Sequence, residues 1–249
     1  MRNVTNLVRA VGMTAVVGFA SVLTGCAPDP PSGAVPSVKY DPVTGRLKEL
    51  AFDTTHNGRH DSVGFMDGTR IQRIEVDEDE DGKIDRWEFY DTNRRLERVG
   101  FSRQRSGVLD AMAFYGEAGE VERLEISTRG DGLFNRIEFY EFGSLARVEE
   151  DTNGDRRPDK WETYAVDPRG TPGQTGPILT ASFDDVFRGK PTRRLVYHPD
   201  GSGVVRVEVD PDGDGIFLES TLPSADVGGR GRDSHAGTGV PNLESGGGD

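Results

Sequence analysis

A short aromatic segment recurs along this chain at a nearly constant interval, and no other feature narrows the possible folds as much. It reads DSVGFM (61–66), DRWEFY (85–90), DAMAFY (110–115), NRIEFY (135–140), DKWETY (159–164) and TRRLVY (192–197). Successive copies end 24 or 25 residues apart until the last step, which the insertion at 167–176 lengthens. The columns match chemically. Val63, Trp87, Met112, Ile137 and Trp161 form one, Phe65, Phe89, Phe114, Phe139 and Thr163 a second, and Tyr90, Tyr115, Tyr140, Tyr164 and Tyr197 a third. A fixed interval of this size means one supersecondary unit stacked many times.

Each aromatic segment leads through a turn into a second apolar one: LKELAF (47–52), IQRIEV (71–76), LERVGF (96–101), VERLEI (121–126), LARVEE (145–150), ILTASF (178–183) and VVRVEV (204–209). Within RWEFY, Trp87 and Phe89 share one parity, and Arg86, Glu88 and Tyr90 the other; Ile74 and Val76, Val99 and Phe101, and Leu124 and Ile126 alternate likewise. Runs this short, rich in aromatic and β-branched residues and bounded by Gly, Asp and Asn, are strands. The expected fold is all-β: an antiparallel meander of about seven β-hairpins over 37–223, curled into a closed or rolled sheet. Its apolar face should carry Trp87, Phe89, Phe114 and Phe139, because such residues left on an open sheet invite aggregation. Tyr90, Arg86 and Glu88 then fall on the wetter face. Short turns and acidic loops alternate, so the acidic loops should line one edge.

The turn Tyr40-Asp41-Pro42-Val43-Thr44-Gly45-Arg46-Leu47 resembles the tyrosine-aspartate hairpin repeats of large bacterial surface proteins, a likeness of rhythm rather than of their enclosing shell. The chain begins with Arg2 and Arg9, an apolar run from Val11 to Leu23, and Leu23-Thr24-Gly25-Cys26. A charged start followed by a short apolar core is a secretory signal, too short to span a bilayer. Its ending resembles the lipobox of bacterial lipoproteins. That resemblance implies a signal peptide over 1–25, cleavage before Cys26 and diacylglycerol on its sulfur, with two or more acyl chains for stable anchoring. Ala27 after the cysteine implies sorting to the outer membrane of a bacterial cell envelope. Residues 26–36 then form a Pro-rich linker. Residues 224–249 are Gly-rich and poor in large apolar side chains, the composition of a disordered tail. Cys26 is the only cysteine, so no intramolecular disulfide supports the domain.

The formal net charge of −13 becomes −15 when Arg2 and Arg9 leave with the signal. Such a balance argues against nucleic acid, whose phosphates need a basic footprint, and favours cations as partners. The acid is concentrated in the loops. Counted from Asp77, carboxylates at positions 1, 3, 5 and 9 (Asp77, Asp79, Asp81, Asp85), Gly82 at 6, Lys83 offering its carbonyl at 7 and Glu88 at 12 resemble the EF-hand calcium loop. Asp151, Asn153, Asp155, Asp159 and Glu162 form a second near-match, in which Arg156 replaces glycine and should take a costly left-handed conformation. Asp210, Asp212 and Asp214 supply the first half of a third. The flanks lack a helical apolar stripe, so the loops are read as EF-hand-like in a β frame, with a helical EF-hand protein as the alternative. Asx residues that cap their own turns are the non-metal explanation of the same pattern.

His56 and His60 lack a third zinc ligand nearby, and no nucleophile elbow, phosphate loop or zinc-protease signature is present. The expectation is a non-enzymatic lipoprotein whose calcium loops stiffen a scaffold contacting other envelope components. A glycan-binding module is the alternative, with Tyr90, Tyr115, Tyr140 and Tyr164 as a stacking column. The anchoring reading predicts that Cys26→Ser leaves the precursor uncleaved and unlabelled by palmitate analogues. Normal lipid labelling of that variant would refute the lipobox assignment.

Overall fold

The computed structural model describes residues 34–220. The signal peptide, Cys26, most of the linker and the tail read from the sequence lie outside the described residues. Fifteen strands follow one another: β1 (Ser37–Tyr40), β2 (Leu47–Phe52), β3 (Ser62–Asp67), β4 (Arg70–Val76), β5 (Arg86–Tyr90), β6 (Leu96–Phe101), β7 (Ala111–Tyr115), β8 (Val121–Ile126), β9 (Arg136–Glu141), β10 (Ser144–Glu150), β11 (Lys160–Tyr164), β12 (Ile178–Phe183), β13 (Arg193–Tyr197), β14 (Val204–Val209) and β15 (Leu218–Glu219). They pair in that order in a single antiparallel sheet, seven hairpins and a final short strand. No helix occurs among the described residues, which removes the helical EF-hand alternative. β1 and β15 do not pair with each other, so the sheet is an open meander.

Every hairpin carries a register shift at its short-turn end. Phe89 pairs with Arg98 but Tyr90 with Leu96, leaving Glu97 as an extra residue on the return strand. The same shift recurs at Phe65/Met66, Phe114/Tyr115 and Thr163/Tyr164. A bulge of this kind bends the strand and sharpens its twist. It also explains the spacing of three in LERV (96–99) and VERL (121–124): one inserted residue returns Leu96 to the face that holds Val99.

Register overturns the expected assignment of faces. Glu88 stands opposite Val99, Ala113 opposite both Val99 and Leu124, and Glu138 opposite Leu124. These positions form the buried row. Val99, Ala111, Ala113, Leu124 and Ile126 are inaccessible or nearly so, and Leu96, Tyr115 and Tyr140 pack against them. Trp87 and Phe89 point to the other, half-buried face. The second segments bury the expected parity, but the first segments join the core through their Glu and Tyr positions rather than through Trp and Phe.

The aromatic face is covered by its own arginines. Cross-strand pairs run Phe65–Arg73–Phe89–Arg98–Phe114–Arg123–Phe139–Arg147. Arg73 lies over Phe65 at 3.8 Å, Arg123 over Phe114 at 3.9 Å and Arg147 over Phe139 at 3.9 Å from the ring centroids. A guanidinium stacked on a ring shields the apolar surface while keeping its charge in water. Thus the sheet exposes aromatic residues on one face without presenting a continuous apolar patch.

The inversion of faces sets a direct comparison of two similar side chains. Leu124→Ala, on the fully buried row, lowers stability by about 2–5 kcal/mol, and Ile137→Ala, on the Trp87 face, by about half as much. Denaturant unfolding measures both, and the reverse order would restore the Trp87 face as the core.

Candidate metal centre

The acidic loops lie along one edge of the sheet and share one internal geometry. In each, the side chain at the first position accepts backbone amides from further round the loop. Asp77 accepts from Asp81 and Gly82 at 3.2 and 2.8 Å, and Asp53 from Asn57 and Gly58 at 3.2 and 2.8 Å. Ser102 does the same with its hydroxyl, receiving the amides of Ser106 and Gly107. The side chain at the ninth position accepts the amide of the second: Thr54 to Asp61, Glu78 to Asp85, Arg103 to Asp110, Thr128 to Asn135 and Thr152 to Asp159. The backbone is left-handed at the fourth and sixth positions, as at Glu80 (φ 60°) and Gly82 (φ 89°). Arg156 takes φ 71° without the benefit of glycine, as its position predicted. Most of the Asp, Asn and Ser pattern is therefore accounted for by amides that need acceptors.

Among the described residues, two sets of carboxylates are brought within 4.8 Å of one another and could hold a metal ion: Asp77, Asp79 and Asp85, and Asp210, Asp212 and Asp214. They differ in what their buried member lacks. Asp210 is 2% exposed and accepts the amides of Gly213 and Gly215 at 2.8 and 2.9 Å. Burial raises its pKa, but those amide bonds outweigh it and hold the carboxyl below its ordinary value. Asp85 is 4% exposed; Oδ2 accepts the Glu78 amide at 3.0 Å, and Oδ1 is buried with no hydrogen-bond partner. Burial, with Asp79 and Glu78 nearby, pushes the Asp85 carboxyl up, against the pull of the Glu78 amide and Arg105.

Asp210 is the first residue of its loop and Asp85 the ninth, and the second loop position is what sets Asp85 apart from the other ninth-position carboxylates. In the loops of Asp61 and Asp159 it is a threonine, whose hydroxyl donates to the ninth-position carboxylate at 2.7 and 2.8 Å. In the loop of Asp110 it is Arg103, which donates its Nε at 3.1 Å. Loop 77–85 has Glu78 there, which has no proton to give. Among the described residues, its ninth-position carboxylate is the one with an oxygen both buried and without a hydrogen-bond partner.

The remaining residues singled out in the sequence sit elsewhere. Asp81 faces outward in an ion pair with Lys83 at 2.7 Å. Asp151, Asp155 and Asp159 do not gather into such a cluster among the described residues: Asp159 is taken by Thr152 and Asn153, and Asp151 by Gly154 and Arg156. Glu88 and Glu162, the twelfth-position residues, lie on strands and serve the sheet. Glu88 pairs with Arg86 and accepts the Tyr90 hydroxyl at 2.6 Å. Glu138 pairs with Arg136 and Tyr140, and Glu162 with Lys160 and Tyr164, in the same arrangement. The hydroxyls of Tyr90, Tyr140 and Tyr164 are thus committed within the sheet, and that of Tyr115 is buried without a partner beside Glu88. The signal for these triads was in RWEFY, RIEFY and KWETY, as a basic residue, Glu and Tyr at alternate positions.

No family model matches the sequence, and no curated protein does. Among solved structures, one titled for TarM shares 12% identity over 42% of this chain, at a TM-score of 0.21. One of accessory secretory proteins 1, 2 and 3 from Streptococcus pneumoniae shares 14% over 47%, at 0.25. One of a GtfA/B complex bound to UDP and GlcNAc shares 14% over 51%, at 0.24. This chain spans 17%, 19% and 23% of the length of those chains. Likenesses this slight bear on neither activity nor ligand.

The half-buried Glu162 triad carries a pH dependence of defined sign. Burial raises the pKa of Glu162, but hydrogen bonds from Lys160 and Tyr164 outweigh it and hold the carboxyl below its ordinary value. A carboxyl depressed in the folded state contributes stability that is present above its unfolded pKa and lost as pH falls through the folded one. Stability should therefore decline below about pH 4.3, and Glu162→Gln should flatten part of that acid limb. Unfolding midpoints measured from neutral pH down to about pH 3 test this, and an unchanged slope in the variant would count against the triad.

Proposed function

We propose that this chain is a lipid-anchored, non-enzymatic protein of the bacterial cell envelope whose β-meander holds a calcium ion in loop 77–85. The anchoring part rests on Leu23-Thr24-Gly25-Cys26. The metal part rests on one observation above all: Asp85 is buried, acidic and has an oxygen without a hydrogen-bond partner, next to Asp77 and Asp79. A buried carboxylate in that condition is costly. A cation restores the missing interaction and relieves the repulsion at the same time. The donors are all oxygens, which suit a hard ion, and several carboxylates in one loop suit the irregular coordination of calcium better than the compact octahedron of magnesium. Calcium would brace one point on the edge of a scaffold that meets other envelope components.

The position-9 residue gives the sharpest test. An extracellular loop of this kind has a dissociation constant on the order of 10⁻⁴ to 10⁻³ M. At about ten times that constant calcium adds roughly 1.4 kcal/mol, or about 3–6 °C in melting temperature for a domain of this size. Asp85→Asn should abolish the shift and leave the protein in chelator as stable or more so, since Asn135 already fills the equivalent place in loop 127–135. Glu88→Gln should do the opposite: it should weaken the protein in chelator by disturbing Arg86 and Tyr90, and leave the calcium shift intact. Equal melting temperatures of the native protein in chelator and in millimolar calcium would reduce the loop to an acidic turn.

A further inference from the structure

Loop 77–85 already contains a cation, supplied by its neighbour. Arg105 occupies the fourth position of loop 102–110, with a left-handed backbone at φ 53°. Its side chain crosses to the adjacent loop, where Nη1 donates to Oδ2 of Asp79 at 3.1 Å. Asp79 also raises the Arg105 pKa through this bond and, together with Asp85 and Glu78, through charge. The other loops have His56, Glu80, Gly130, Gly154, Phe187 and Gly213 at this left-handed position. The one arginine there faces the metal cluster.

We propose that Arg105 is the resident counter-ion of loop 77–85, that a divalent cation must displace its guanidinium from Asp79, and that Arg105 therefore sets the metal affinity of the site. The proposal rests on the reading that this loop holds such a cation. Arg105 neutralises the cluster incompletely, because its hydrogen bond reaches Asp79 while Oδ1 of Asp85 stays without a partner. That unpartnered, buried oxygen is what a metal ion gains over the guanidinium. Against this, Oδ2 of Asp79 must give up its bond to Arg105, and a retained guanidinium would repel the incoming ion. Displacement also releases a tie between the second and third acidic loops, so metal binding would alter how loop 102–110 rests on its neighbour.

Titration calorimetry of the full chain with calcium chloride tests the proposal on four proteins. Arg105→Gln removes the charge and keeps a shorter polar side chain, and should bind calcium about five- to tenfold more tightly than the native protein. Arg105→Lys keeps the charge and should stay within about twofold. Arg129→Gln removes a similar charge from loop 127–135 and should leave the affinity unchanged, which separates a local effect from the net charge. Far-ultraviolet circular dichroism checks that each variant retains the sheet. Calcium binding by Arg105→Gln alone would support the proposal in its strongest form, with the native guanidinium closing the site. If the native protein binds calcium and Arg105→Gln binds it equally or more weakly, Arg105 is no competitor and the proposal falls while the calcium reading stands. If neither protein binds calcium, both fall together.

Discussion

Backbone amides that turn inward at a loop must find acceptors, and this requirement shapes the whole loop edge of the sheet. Two left-handed residues in nine curl each loop so that its amides converge on the first and ninth side chains. Except at Leu218, ninth in the last loop, those side chains accept hydrogen bonds, which explains Asp, Asn, Ser and Thr there. Asp184 takes the amides of Gly189 and Lys190 in the sixth acidic loop as Asp77 takes that of Gly82 in the second. The constant length of the loops, added to that of the strands and short turns, keeps the interval of the repeat constant. An acid-rich composition therefore follows largely from turn chemistry. The exception is Asp85, an acceptor with more capacity than its loop uses.

The two faces solve the burial of an open sheet in different ways. On the buried face, small and aliphatic residues of β6, β7 and β8 form the apolar centre, and flanking strands insert basic–Glu–Tyr triads. Arg136 joins Glu138 to Glu150, and Lys160 joins Glu162 to the same Glu150 within 3.5 Å. Buried charges are tolerable here because each carboxylate has a cation and, in the triads, a phenol. β7 reads AMAFY, with alanines where β5 has Arg86 and Glu88, and that loss is the reason the Tyr115 hydroxyl has no carboxylate of its own. On the other face, alternate arginines lie over alternate phenylalanines. Solvation of that face comes from guanidinium groups rather than from a covering layer.

The hairpin rhythm, the strand type and the single loop edge were legible in the sequence because period-two alternation and turn residues are local signals. The assignment of faces was not, because it depends on register. Trp87 and Phe89 are larger than Glu88 and Tyr90, so size pointed to the wrong side. Only pairing with Val99 across a bulged turn reveals that Glu88 belongs with the core. Glu88 stands twelve places from Asp77, but the chain between them enters a strand after Asp85, and there Glu88 is engaged by Arg86 and Tyr90. Asp77, Asp79 and Asp85 were in the predicted ligand set; that Asp85 would be the underused member depended on Glu78, whose significance lies in the hydroxyl it lacks.

A single ion can matter in such an architecture because hairpins in a meander touch mainly their neighbours. Stability is then close to a sum of units and nearest-neighbour interfaces. Loop 77–85 takes part in two of those interfaces. On one side Glu80 accepts a hydrogen bond from Thr55 at 3.1 Å and receives the Asn57 amide group, with Arg59 at 3.9 Å. On the other, Asp79 holds Arg105. The first link engages Glu80, which lies outside the carboxylate cluster, whereas the second engages a member of it. A cation among Asp77, Asp79 and Asp85 would therefore leave the contact with loop 53–61 in place and compete with the contact to loop 102–110. The asymmetry follows from which carboxylate each neighbour uses: a cation bound at this loop would act on one hairpin interface without dissolving the other.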